Sequence, residues 1–272
     1  MLKQSDFIIP NWPVPNNVHA LQTNRYGGCS HAPYDSFNLG DHVKDNPIHV
    51  AQNRQLLSQF LPTEPVWLNQ VHGIEVINAA DASCLPSADA SFTNRKNTVC
   101  VTMTADCLPI LLCDNLGTIV ASVHAGWRSL CNGVIEATVK RMITSTASET
   151  RNNESRNSET INSETSQLMA WLGPAIGPNA FEVGAEVRDQ SISKDKKSES
   201  AFKPLDDKNL NDKWLCDIYQ IATQRLNNLG VTQIYGGGTG NEPWCTFTDE
   251  NRFFSFRRDG DTGRMATLIW MQ

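Results

Sequence analysis

Apolar residues along this chain fall into short β-like runs and a few longer stretches with helical spacing. Across 47–60, Val50, Leu56, Leu57 and Phe60 recur at helical intervals, and Pro47 suits a first helical turn. Residues 65–78, PVWLNQVHGIEVIN, read as strand, turn, strand. Two apolar runs flank TAD within TVCVTMTADCLPILLC, 98–113, and TIVASVHA, 118–125, reads as a further strand. A helix is predicted over 129–143, with Ser129 as its cap and Val134, Ile135, Val139 and Met142 as its apolar stripe. The clearest helix spans 211–229, where Leu215, Ile218, Tyr219, Ala222, Leu226 and Leu229 recur and Gly230 closes the pattern. VTQIY and ATLIW are strands, and GGGTG between them is a loop.

Polar segments separate these elements. RYGGCSHAPYDSFNLGDHV, near the N-terminus, is rich in turn residues. Residues 144–167 are low-complexity, with repeated S-E-T units and almost no apolar residue, so burial cannot offset their ordering entropy. They read as a surface insertion, and SISKDKKSES at 191–200 reads as a second mobile loop. Many strands with three or four helices predict an α+β fold. The expectation is one catalytic domain over 1–272, a layered sandwich of mixed β-sheet with flanking helices.

Composition narrows the function classes. The 272 residues carry a formal net charge of -6 and no basic stripe, which argues against nucleic acid or an anionic membrane as partner. The N-terminal MLKQSDFIIPNWPVP has no signal-like apolar run, and no segment reaches the ~18 apolar residues of a membrane span. A cytoplasmic location is expected. The eight cysteines form no C-x-x-C pair, and several sit in apolar runs, as reduced thiols do.

One constellation carries chemistry. If Asn115 and Leu116 are the two turn residues of a hairpin, Cys107 falls opposite His124, close enough for thiolate and imidazole to share a zinc ion. A bulge at Gly117 would slip this pairing by one residue. His72, beside Gly73 in LNQVHG, is the candidate third ligand. Three protein ligands and one open position define a catalytic zinc site. After His124, AGWRSL opens a helix, so its free N–H groups and Arg128 form a candidate anion site. Asp106 precedes Cys107 and is expected to orient a ligand.

LNQVHG, TADCLPILL, HAGWR, LGPAIGP-x-x-FEVG and FFSFRRDG-x-TGR occur in this order. With them the chain closely resembles the bacterial laccase-domain family, long called multicopper polyphenol oxidases and now described as purine nucleoside phosphorylases. The resemblance runs from about RYGGCS to the C-terminus. It implies His72, Cys107 and His124 as catalytic zinc ligands, and a fold shared with a bacterial toxin's deamidase domain. It implies phosphorolysis of adenosine, inosine and methylthioadenosine, and deamination of adenosine. Arg128, Asn38 and Arg257 are the candidate substrate- and phosphate-binding residues. Arg128 is the family's usual residue, whereas Ser129 stands where the family often has glycine.

Three alternatives stay open at this point. A copper-dependent polyphenol oxidase with a multicopper cluster needs about ten histidines plus a cysteine, and the chain has six histidines. A metal-free cysteine hydrolase would use Cys107 as nucleophile and His124 as base. A non-enzymatic binding protein would use the same surface without turnover. Monomer and homodimer are equally compatible with the sequence.

Overall fold

The computed structural model describes residues 2–150, 165, 167–205, 212–237 and 244–272, with backbone alone for 146–150. In chain order the main elements begin with β1 (Val18–Gln22), α1 (Pro47–Ser58), β2 (Val76–Asn78), β3 (Ala90–Thr93) and β4 (Cys100–Thr104). β5 (Leu108–Asp114), β6 (Val120–Ala125), α2 (Trp127–Asn132), α3 (Val134–Thr150) and β7 (Leu168–Leu172) follow. Then come β8 (Glu182–Gly184), α4 (Ala185–Lys194), β9 (Phe202–Pro204), β10 (Lys213–Cys216) and α5 (Ile218–Asn228). The chain ends with β11 (Gln233–Gly236), α6 (Phe256–Asp259) and β12 (Met265–Met271).

The expected α+β layered sandwich is the architecture found. A six-stranded sheet, β11-β7-β5-β6-β3-β2, is mixed: β11 with β7 and β2 with β3 run parallel, and the other neighbours antiparallel. A three-stranded antiparallel sheet, β1-β12-β4, covers one of its faces. Side chains of β5 show how the layers form. Leu108, Ile110 and Leu112 enter the core shared with α3 and α5, while Leu111 and Cys113 face the smaller sheet beside Cys100 and Ile269. Alternate residues of a strand point to opposite faces, so a continuously apolar strand is one buried on both sides. On the outer face of the smaller sheet, Leu57 of α1 packs with Phe37, Leu39, Trp67 and Leu268. A third small sheet, β8-β10-β9, lies beside α4. No described helix is long and apolar enough to cross a membrane.

Several predicted elements change form. The 129–143 helix is two helices, broken at Gly133, whose φ of 102° is a left-handed conformation open to glycine. Ser129 is not a cap: its buried hydroxyl donates to the carbonyls of His124 and Gly126. The 211–229 helix begins later, because Lys213–Cys216 pairs as β10 and the Asp217 carboxylate caps α5 by accepting from Gln220 N. The stretch 191–200 is no loop but the end of α4 and a 3₁₀ helix, anchored by buried Ser191 and Ser198. Of strand, turn, strand at 65–78, only β2 is a strand; Gln70 pairs with β4 through its side chain, donating to Met103 O and accepting from Met103 N. The low-complexity insertion at 144–167 lies largely outside the described residues, and its first part, through Thr150, continues α3. Of GGGTG, the last three residues are outside them too.

Leu112 is completely buried between the main sheet and its helices. Leu112→Ala should lower unfolding free energy by about 2–5 kcal/mol, read as a lower denaturant midpoint.

Candidate metal centre and its cavity

His124 lies in β6, Cys107 just ahead of β5, and His72 in the segment leading to β2. The hairpin that joins the first two has a longer turn than its sequence predicts. The Asp114 carboxylate accepts from Thr118 N and Ile119 N, Gly117 takes φ of 66°, and a four-residue loop results. Pro109, not Cys107, therefore stands opposite His124. The slip is two residues, an even number, so Cys107 keeps its face of the sheet and becomes a diagonal neighbour of His124.

The three side chains do converge. One ligand atom from each of His72, Cys107 and His124 lies within 4.8 Å of the others. Cys107 Sγ is 3.7 Å from His72 Nε2, and the two imidazoles meet edge-on, with centroids 4.8 Å apart. A tetrahedral zinc ion bound by sulfur at ~2.3 Å and nitrogen at ~2.0 Å sets those atoms about 3.5 Å apart, so the spacing fits such an ion. Gly126 makes the approach possible. A Cβ there would fall 2.7 Å from His72 Cδ2 and 3.1 Å from Cys107 Sγ.

Asp89 holds the donors in place, and sequence spacing alone does not reveal it. Its side chain is completely buried. Oδ1 accepts from His124 Nδ1 at 2.8 Å and from His72 N at 2.9 Å; Oδ2 accepts from Gly73 N at 2.6 Å and Val71 N at 3.2 Å. The first contact turns His124 Nε2 toward the centre. The others stabilise His72 at φ of 58°, an uncommon conformation for a residue with a Cβ. The clue lies in strand pairing: β3 runs antiparallel to β6 with Ala90 opposite Val123, which places Asp89 beside His124.

These contacts set the charges. Burial opposes the Cys107 thiolate, yet the adjoining His124 and His72 outweigh it and hold the thiol well below its ordinary value. Burial likewise opposes charge on His124, but the Cys107 thiolate and the Asp89 carboxylate raise its pKa. Burial also works against the Asp89 carboxylate, and hydrogen bonds from His124 and the backbone more than compensate. Cys100 shows the contrast: burial without a cationic partner pushes its thiol up to about 12.

The centre opens onto a cavity of about 460 Å³, within the usual range for small-molecule sites. Met103, Trp127, Ile176, Phe181, Ile218 and Phe256 give it apolar walls, and Arg128, Arg257, Arg264, His42 and Gln70 its polar groups. Arg128 is exposed, with its guanidinium over the Trp127 ring at 4.3 Å. Arg257 is also exposed; Nη1 donates to Glu182 O at 2.6 Å. Asn38 is completely buried and does not line the cavity: Oδ1 accepts from Gly40 N and Arg264 N, and Nδ2 donates to Asp45. Asp106 sits at φ of 89°, accepting from Thr246 Oγ1 and Arg257 N at 2.6 Å each, and so anchors the chain directly before Cys107. Arg264 is a further cavity residue that sequence spacing does not single out.

Among the described residues one cysteine–histidine cluster, set on a cavity with apolar walls and arginines, could hold a metal ion. The chain belongs to the family described as multi-copper polyphenol oxidoreductase laccase, whose model matches residues 19–272. It is 48% identical over 270 residues to purine nucleoside phosphorylase YfiH of Escherichia coli strain K12, spanning 98% of this chain and 99% of that protein. It is also 48% identical over 267 residues to a Haemophilus influenzae protein named purine nucleoside phosphorylase, spanning 97% and 99%. A crystal structure of Neisseria meningitidis protein NMB0706 superposes with a TM-score of 0.84 at 41% identity, covering 98% of this chain and 99% of that one.

Asp89→Asn puts an amide NH₂ among donors that need an acceptor. It should weaken metal binding by about 10- to 100-fold, measured by competition with a chromogenic chelator on protein whose circular dichroism matches wild type. Gly126→Ala should also weaken binding, by forcing His72 and Cys107 apart.

Proposed function

We propose that this chain is a zinc-dependent purine nucleoside phosphorylase acting on adenosine, inosine and methylthioadenosine, and that it also deaminates adenosine. The observation that carries the reading is the gathering of His72, Cys107 and His124 on the wall of a cavity with both aromatic faces and arginines. The names of close relatives support it, at 48% identity over nearly the whole chain. A bound zinc ion would supply Lewis acidity toward a substrate or water oxygen.

The chain's own residues divide the remaining work. Phe181, Phe256 and Trp127 offer flat apolar surfaces for a purine. Arg128 and Arg257, exposed on the cavity lining, draw the phosphate anion inward. In phosphorolysis a phosphate oxygen bonds to C1′ as the C1′–N9 bond breaks. The electron pair leaves with the base, which takes up a proton, and the sugar departs as its 1-phosphate. In deamination, water adds at C6 and ammonia leaves.

Donor count argues against a multicopper cluster, which needs separate ligand sets for several ions. Of the six histidines here, His19 stacks on Trp270, and His31 and His49 pack against one another. Among the described residues one cluster can hold an ion. A second reading has one specific support. Cys107, His124 and Asp89 follow the order of nucleophile, base and orienting carboxylate, which suits a metal-free thiol hydrolase.

Metal-loaded protein should convert inosine and phosphate to hypoxanthine and ribose 1-phosphate, and His72→Ala should abolish this. Quantified zinc with no conversion of any of the three nucleosides would overturn the phosphorylase reading. Iodoacetamide separates the two chemistries. With metal bound, Cys107 should resist alkylation until a chelator is added, whereas a metal-free hydrolase would lose its activity at once.

A further inference from the structure

The three cavity arginines are not equivalent. Arg128 and Arg257 are exposed, and each already rests on a protein group, the Trp127 ring or the Glu182 carbonyl. Water and salt screen charges so placed. Arg264 is half-buried in the cavity lining. Its Nη1 donates to Thr262 O at 3.0 Å and Gly263 O at 3.1 Å, neighbours that aim the guanidinium without neutralising it. Among the described residues no carboxylate lies within ion-pair distance of it, and its burial outweighs the attraction that the Cys107 thiolate and Asp106 exert from farther away. A guanidinium withdrawn from water without a carboxylate is costly, and is kept where an anionic ligand completes it.

The surroundings are built to present this side chain. Arg264 N donates to buried Asn38 Oδ1 at 2.8 Å, and Gly40 N donates to the same oxygen at 2.9 Å. A Cβ on Gly40 would meet Arg264 Cγ at 2.7 Å and His42 Cε1 at 3.3 Å, so bare backbone is the floor over which Arg264 and His42 meet. The Phe256 ring, 5.9 Å from the guanidinium carbon, closes another side. Burial, then the charge of Arg264, lower the pKa of the His42 imidazole. Its ring lines the cavity beside the cation.

We infer that Arg264 receives the phosphate co-substrate, with His42 beside it and Asn38 as the positioning residue that fixes its backbone. This rests on the phosphorylase reading for the use made of the anion, but not for its binding. Arg264's fork of N–H donors matches two oxygens of a tetrahedral anion, and its low exposure makes each contact stronger than one at the rim.

The test is calorimetric titration of the metal-loaded full chain with inorganic phosphate, paired with phosphorolysis kinetics. Arg264→Ala should raise both the phosphate Kd and the phosphate KM about 10- to 100-fold, as loss of a hydrogen bond to a charged group does. The nucleoside KM at saturating phosphate should stay unchanged. Arg264→Lys should recover part of the loss, and Arg264→Gln serves if the alanine variant does not fold. Gly40→Ala, which leaves the charge and displaces the stem, should also weaken phosphate. Unchanged phosphate binding in a folded Arg264 variant overturns the inference, as does a wild type that binds no phosphate. So does a variant that loses affinity for a nucleoside 5′-monophosphate and not for free phosphate. If wild type binds phosphate through Arg264 yet phosphorolyses no nucleoside, the anion site stands and the phosphorylase reading falls.

Discussion

The donor centre depends on one buried carboxylate. Asp89 leaves water entirely, which is tolerable only because imidazole and backbone donors surround it. Two residues of the donor cluster reach the same oxygen, one through its ring and one through its own amide. His72 and His124 come from separate segments, yet their relative position is fixed by an atom common to both. The residue just before β3 supplies that atom, because the antiparallel pairing of β3 with β6 sets Asp89 next to His124, whose backbone N–H also donates to the Asp89 carbonyl at 2.7 Å.

What the sequence makes legible is the part governed by local periodicity. β4, β5, β6, β12 and α1 appear where their apolar patterns put them, because each is apolar on faces that the fold buries. The donors are legible too, since Cys107 and His124 flank a hairpin and tolerate a register error of two without changing face. What escapes is governed by side chains that replace backbone pairing. Gln70 pairs with Met103 through its amide, and Asp114 captures the N–H groups of its own turn. Neither leaves a trace in a hydrophobic pattern. Asp217 hides a strand-to-helix change within one continuous apolar period, because Leu215 in β10 and Ile218 in α5 both suit helical spacing.

The cavity is assembled from two distant parts of the chain. Its donor side comes from residues 72–124, and two of its three arginines come from the last segment, Arg257 within α6 and Arg264 just before β12. β12 pairs with β4, which ends just before the Asp106–Cys107 corner, so the final strand carries Arg264 to the donors' neighbourhood. Asn38 then ties a third region to the same residue by its backbone amide. The donor cluster and the cationic wall thus come from separate lengths of sequence, joined by the smaller sheet.

Asp106 gives this arrangement a mechanical consequence. Its two oxygens are fastened to Thr246 and to the amide of Arg257, and the next residue along is the sulfur donor. The wall bearing Arg257 and the Cys107 sulfur therefore hang on one carboxylate, a shared anchor for the mouth of the cavity and its floor.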